Sequence, residues 1–126
     1  MRKKMPDIEY VDDRMETEEL LERLCPPVRN WFMDKFPDFT EPQKVAIPRI
    51  LKGEHLLLCS PTGSGKTLTA FLTIIDDLVR GSLDGTLPDS VQCVYISPIK
   101  ALANDIEKNL LGPLGEIKER FLPRRA

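Results

Sequence analysis

The stretch Leu56-Leu57-Leu58-Cys59-Ser60-Pro61-Thr62-Gly63-Ser64-Gly65-Lys66-Thr67 decides how the chain is read. An apolar run enters a Gly/Ser loop, and a helix-period pattern leaves it. A strand, a glycine-rich loop and a helix in that order make a phosphate cradle. Gly63 and Gly65 lack a Cβ, so the loop can turn its backbone N–H groups inward as an anion nest. Lys66 is expected at the β/γ-phosphates of a nucleotide, and Thr67 offers a hydroxyl to Mg²⁺. The helix that opens near Lys66 adds its positive end. The general pattern opens with glycine five residues before the Gly-Lys-Thr end, where Ser60 stands here. The competing reading is a chance Gly/Ser turn between a strand and a helix.

Working outward, Leu68, Phe71, Leu72, Ile75, Leu78 and Val79 form one apolar helix face, with Gly81 as its expected stop. Gly81 to Ser90 reads as a loop, and Val91 to Ile96 as a buried strand. Ser97-Pro98 follows, and a further helix is expected from Ile99-Lys100 to a stop at Leu111-Gly112-Pro113. Upstream, Thr40-Glu41-Pro42-Gln43 reads as a capping box opening a helix. That helix presents Val45, Ile47, Ile50 and Leu51, carries a bend at Pro48 and stops at Gly53. Before it, Pro26-Pro27 opens a helix with Val28, Trp31, Phe32 and Phe36 at helical spacing, an aromatic packing face. Residues 1–23 read as an acidic N-terminal arm. Its short helix has Leu20, Leu21 and Leu24 as its stripe and Asp13 or Thr17 as its cap.

The order is helix, strand, phosphate loop, helix, strand, helix. It implies a three-layer α/β domain with parallel strands, preceded by N-terminal helices. Two strands do not finish such a sheet, so residues 24–126 read as the opening portion of a larger domain. The 126 residues carry a net charge of −2, so any nucleic-acid contact must be local. Three cysteines without close spacing argue against a disulfide framework or zinc site and for a reducing, cytoplasmic setting. Cys59 and Cys93 fall in the strand-like runs and are expected in the core. His55, the only histidine, is expected at the surface. No apolar run is long enough to cross a membrane.

Gln43, Ala46-Ile47-Pro48, the run from Ser60 to Thr67, and Ser97-Pro98-Ile99-Lys100-Ala101-Leu102-Ala103-Asn104-Asp105 occur in one order. Together they resemble the first RecA-like motor lobe of superfamily 2 ATP-dependent helicases. The likeness is nearest to the large helicase-related (Lhr) type, and it covers roughly residues 24 to 118. The resemblance implies an ATP-binding segment that works with the remainder of a helicase chain on DNA or RNA, single-stranded or partly duplex. It implies that Ser60, Pro61, Thr62, Gly63, Ser64, Gly65, Lys66 and Thr67 hold ATP and its Mg²⁺, with Lys66 and Thr67 serving catalysis. Gln43 stands where the family reads the adenine edge, and the capping box is a rival use of the same side chain. Phe36 matches an aromatic that stacks on the base, and core packing is its alternative. Ser97, Pro98 and Lys100 match a motif that holds one nucleic-acid strand. A helix N-terminus and a lysine at the carboxyl edge of a parallel sheet suit a phosphate in any case.

The family also uses an Asp-Glu pair and arginines from a second lobe, and no Asp-Glu dipeptide occurs here. These residues are therefore expected to bind nucleotide weakly and not to unwind a duplex by themselves. Two other classes remain open: a P-loop phosphotransferase such as a small kinase, and a non-catalytic module that binds a nucleotide or a partner.

Overall fold

A computed structural model describes residues 7–61, 65–97, 104 and 106–122. Its elements are α1 (Thr17–Arg23), α2 (Pro26–Lys35), α3 (Glu41–Leu51), α4 (Lys66–Asp84), a π-helical turn (Glu107–Leu111) and α5 (Gly112–Arg120).

The amphipathic stripes decide the packing. Leu68, Leu72, Ile75 and Val79 of α4 join Val28 and Phe32 of α2, Ile47 of α3, Leu20 of α1 and Ile117 of α5 in one core. Phe39 stacks on Phe32 at 4.1 Å between ring centroids, and Phe36 stacks on the same ring at 5.1 Å. Trp31 meets Phe36 edge-on at 5.9 Å. The aromatic face of α2 is thus a packing layer, and Phe36 is part of it. Trp31 Nε1 donates to Glu116 on α5 at 2.9 Å, and Lys35 Nζ joins the same carboxylate. A buried indole N–H thereby finds the acceptor it needs.

Several expectations are corrected. No strand forms among the described residues, so the expected α/β sheet is not built there. Among the described residues the two strand-like runs make no ladder with each other. A strand is a relation between neighbours about 4.8 Å apart, and a sheet buried on both faces needs more than two of them. Without that pairing the apolar side chains stay in solvent: Leu57 is 85% exposed and Ile96 89% exposed. Cys59 and Cys93 are exposed for the same reason, and Cys25 is the buried cysteine. Tyr95 of the second run packs on the buried Phe71 at 4.8 Å.

Helix ends also differ. The cap of α1 is Glu16, not Asp13 or Thr17, because residues before it run extended along α3 and the Thr17 hydroxyl donates to Asp38. Helix α4 runs through Gly81 and stops at Gly85, whose φ of 69° is left-handed. There the Thr86 N–H closes on the Gly81 carbonyl at 3.0 Å, the six-residue closure of a glycine-terminated helix. Gly112-Pro113 does not end the chain's last helical run. The Gly112 N–H bonds the Glu107 carbonyl in a π register, and α5 then begins with Pro113 in its first turn. Pro113 gives no N–H to the turn before it, yet the run continues past it. The helix start expected at Ile99-Lys100 lies outside the described residues.

Candidate nucleotide site

The site is built where α4 begins. Gly65 caps α4 with φ 81°, a left-handed conformation that only glycine takes without strain. A Cβ placed on Gly65 would lie 2.5 Å from Gln43 Nε2, so the space beside this backbone belongs to the glutamine. The Gly65 carbonyl accepts from Thr69 N at 3.0 Å, from Thr69 Oγ1 at 2.7 Å and from Gln43 Nε2 at 3.3 Å. Three donors fix the orientation of this one peptide unit.

The glutamine is itself held. Its Oε1 accepts the Thr40 N–H at 2.9 Å, and Thr40 Oγ1 accepts the Gln43 N–H at 3.4 Å. This is the capping box, formed at the start of α3. Gln43 is 3% exposed. One side chain therefore both closes α3 and bridges 22 residues to the phosphate loop.

Lys66 is exposed, and its Nζ donates to the Ser60 carbonyl at 2.6 Å, across the loop from which it springs. Lys66 and Thr67 border an open cleft of about 460 Å³ between α4 and the extended segment 54–58, with Ile50, His55, Leu58 and Tyr95. His55 is at the surface, as expected, although it faces this cleft. Pro61 is exposed and Ser97 half-buried. Thr62, Gly63, Ser64, Pro98 and Lys100 lie outside the described residues, as do Ala101 and Asp105.

The residues present suit a nucleotide and its metal. The cradle end is a backbone turn that a Cβ would fill, beside a cation and a hydroxyl. Among the described residues no cluster of three or more His, Cys, Asp or Glu side chains makes a metal cage. A magnesium ion that borrows most ligands from phosphate and water needs no such cage.

Sequence reading missed Asp76. It lies in the middle of α4, 3% exposed. Its Oδ1 accepts the Cys25 N–H at 2.7 Å, and its Oδ2 pairs with Arg80 at 3.2 Å. Arg80 also donates to the Arg23 carbonyl at 2.8 Å. This cluster fastens the joint between α1 and α2 to the helix that carries Lys66. Burial first, and then the neighbouring Asp76, push the Cys25 thiol up to about 11. The visible signal was a carboxylate beside the apolar stripe with an arginine four residues on.

Comparison with known proteins gives the family. The model of the DEAD/DEAH box helicase family matches residues 40–121, and the chain belongs to that family. Among its relatives, an "ATP-dependent helicase Lhr-Core" of Methanothermobacter thermautotrophicus is 56% identical over 108 residues, covering 85% of this chain and 12% of that protein. Its namesake in Methanocaldococcus jannaschii is 48% identical over 113 residues, covering 90% of this chain and 13% of that protein. The "Lhr helicase/uracil glycosylase" of Escherichia coli is 40% identical over 98 residues, 75% of this chain and 6% of its own length. The chain spans about an eighth of the length of the two archaeal relatives. No solved structure matches it. The large helicase-related resemblance read from the motifs is the one the relatives carry. Among the described residues no helix is long and apolar enough to cross a membrane.

Proposed function

We propose that this chain is the ATP-binding segment of an Lhr-type helicase motor, one that couples ATP hydrolysis to strand separation in DNA or RNA together with further chain. The observation that carries this reading is the bridge from the Thr40–Gln43 cap to the Gly65 carbonyl. It joins a glutamine ahead of the loop to the phosphate cradle itself.

On this reading the Lys66 ammonium, now on the Ser60 carbonyl, turns one or two of its three donors to the β/γ-phosphates. A charged acceptor outcompetes a neutral carbonyl, since charge-assisted hydrogen bonds are roughly twice as strong. Thr67 supplies a hydroxyl to Mg²⁺, and the ion, when bound, neutralises phosphate charge. Ser60 to Gly65 wrap the polyphosphate. Gln43 reads the adenine edge, and Phe36 supports it from the aromatic layer. Ser97, Pro98 and Lys100 hold a nucleic-acid phosphate. The exposed runs 56–59 and 91–96 become parallel strands of a RecA-like sheet when paired with further strands, which removes their apolar side chains from water.

The test is calorimetric titration of the chain with Mg-ATP, beside Lys66→Ala. Binding that Lys66→Ala removes is the expected result. Binding that survives the substitution undiminished, or none from folded chain, overturns the assignment of the cradle in these residues.

A further inference from the structure

Helix α3 contains Pro48, which has no N–H. The Lys44 carbonyl, four residues back, therefore lacks the donor that a helix normally supplies. The Met15 N–H supplies it instead, at 3.0 Å. Met15 sits in the acidic arm, far away in sequence. Its neighbours bind the same helix: Arg14 Nη1 meets Glu41 at 2.7 Å, and Asp13 lies 3.9 Å from Arg49. The arm thus touches α3 in its first turn, its middle and its last turn. Glu41 and Lys44 flank Gln43, the side chain that caps α3 and bonds the Gly65 carbonyl.

We infer that residues 13–17 are a strap that sets the position of Gln43, and through it the choice of base at the nucleotide site. The base-choice part rests on the reading of Gln43 as the adenine reader. The exposed ion pairs are worth little singly. The main-chain bond is different in kind, because it satisfies a helix carbonyl on a residue only 9% exposed. Arg14 and Met15 are positioning residues that act through α3 and do not touch the nucleotide.

The test uses the chain with Pro48→Ala and Arg14→Ala, singly and together. Alanine at position 48 gives the Lys44 carbonyl a helical donor that competes with Met15. A purely structural arm predicts a firmer α3 and an unchanged ratio of ATP to GTP affinity. A strap predicts that this ratio falls about three- to ten-fold in the double variant, the worth of one hydrogen bond. Arg14→Lys keeps the charge and should recover most of it. A second readout needs no nucleotide: amide hydrogen exchange at Met15 and at Thr40, whose N–H bonds Gln43 Oε1. The strap requires both amides to lose protection together, in the double variant or in Arg14→Ala should the double variant fail to fold. Loss at Met15 with Thr40 still protected overturns the inference. An unchanged ratio in chain that binds ATP through Lys66 does so too. Absent nucleotide binding with coupled exchange instead defeats the adenine-reader reading and leaves the strap standing.

Discussion

Replacing Gly65 by alanine should be far more damaging than a glycine replacement at the other end of the same helix. Gly65 and Gly85 both have left-handed φ, 81° and 69°. Either substitution incurs the left-handed penalty of about 1–2 kcal/mol. At Gly85 a new Cβ meets nothing within 4 Å, so the cost stops there. At Gly65 the Cβ falls 2.5 Å from Gln43 Nε2. The amide must swing away and gives up its bond to the Gly65 carbonyl, worth about 1 kcal/mol. Because Oε1 belongs to the same rigid amide, its half of the capping box goes with it, costing about another 1 kcal/mol. Gly65→Ala should therefore lose about 3–4 kcal/mol and Gly85→Ala about 1–2 kcal/mol. In a chain of this size that corresponds to falls in Tm of roughly 13 °C and 5 °C. Thermal and urea unfolding followed by circular dichroism measure both. The decisive arm repeats Gly65→Ala in a Gln43→Ala background. With the amide gone only the backbone strain remains, so the two sites should couple by about 2 kcal/mol. Equal costs of Gly65→Ala in the two backgrounds would refute the contact between the cap and the loop.

Two further predictions concern the helical frame. The Lys35 ammonium, and then the Trp31 N–H, hold the Glu116 carboxyl below the usual carboxylate range. A depressed folded pKa gives stability that is present above the unfolded value of about 4.3 and lost as pH falls through the lower folded value. Emission from Trp31, the only tryptophan, should report that acid transition, and Glu116→Gln should flatten it. Asp76→Ala should cost about 2–3 kcal/mol in urea unfolding, because it strips a charged acceptor from the buried Cys25 N–H while Arg80 can still turn to water. The same variant should speed alkylation of Cys25, which is otherwise slow beside Cys59 and Cys93 because it is buried with its pKa pushed up to about 11.

What the sequence made legible was local. Thr40-Glu41-Pro42-Gln43 carries its cap in four residues, and the Leu68 to Val79 stripe carries its buried face in its spacing. What it hid was relational. Asp76 finds its partner 51 residues away in a backbone N–H, which leaves no mark on either local pattern. Pro48 announced a missing helix bond, but nothing in residues 7–16 announced that Met15 fills it. The runs 56–59 and 91–96 have strand composition, yet composition cannot supply the neighbour that makes a strand. Gly81 reads as the stop and Gly85 as part of the loop beyond it, yet the helix ends at Gly85. A glycine within a helix costs only about 1 kcal/mol, and α4 tolerates the first and ends at the second.

Of the two uses of Gln43 set out as rivals, the cap is formed, and on the proposed reading the adenine role is built on top of it. An amide offers two acceptor lone pairs and two N–H donors. Among the described residues the cap takes one lone pair and Gly65 takes one N–H. Fixing a glutamine costs up to about 2 kcal/mol of rotamer entropy, and here folding has already met that cost. A base docking on the proposed site would meet an amide whose plane is set by the start of α3 and whose far side is anchored to the phosphate loop. On this reading capping holds the glutamine ready, and Gln43→Asn, which leaves Thr40 Oγ1 its backbone donor but draws the side-chain amide back from Thr40 N and the Gly65 carbonyl, should weaken ATP more than GTP.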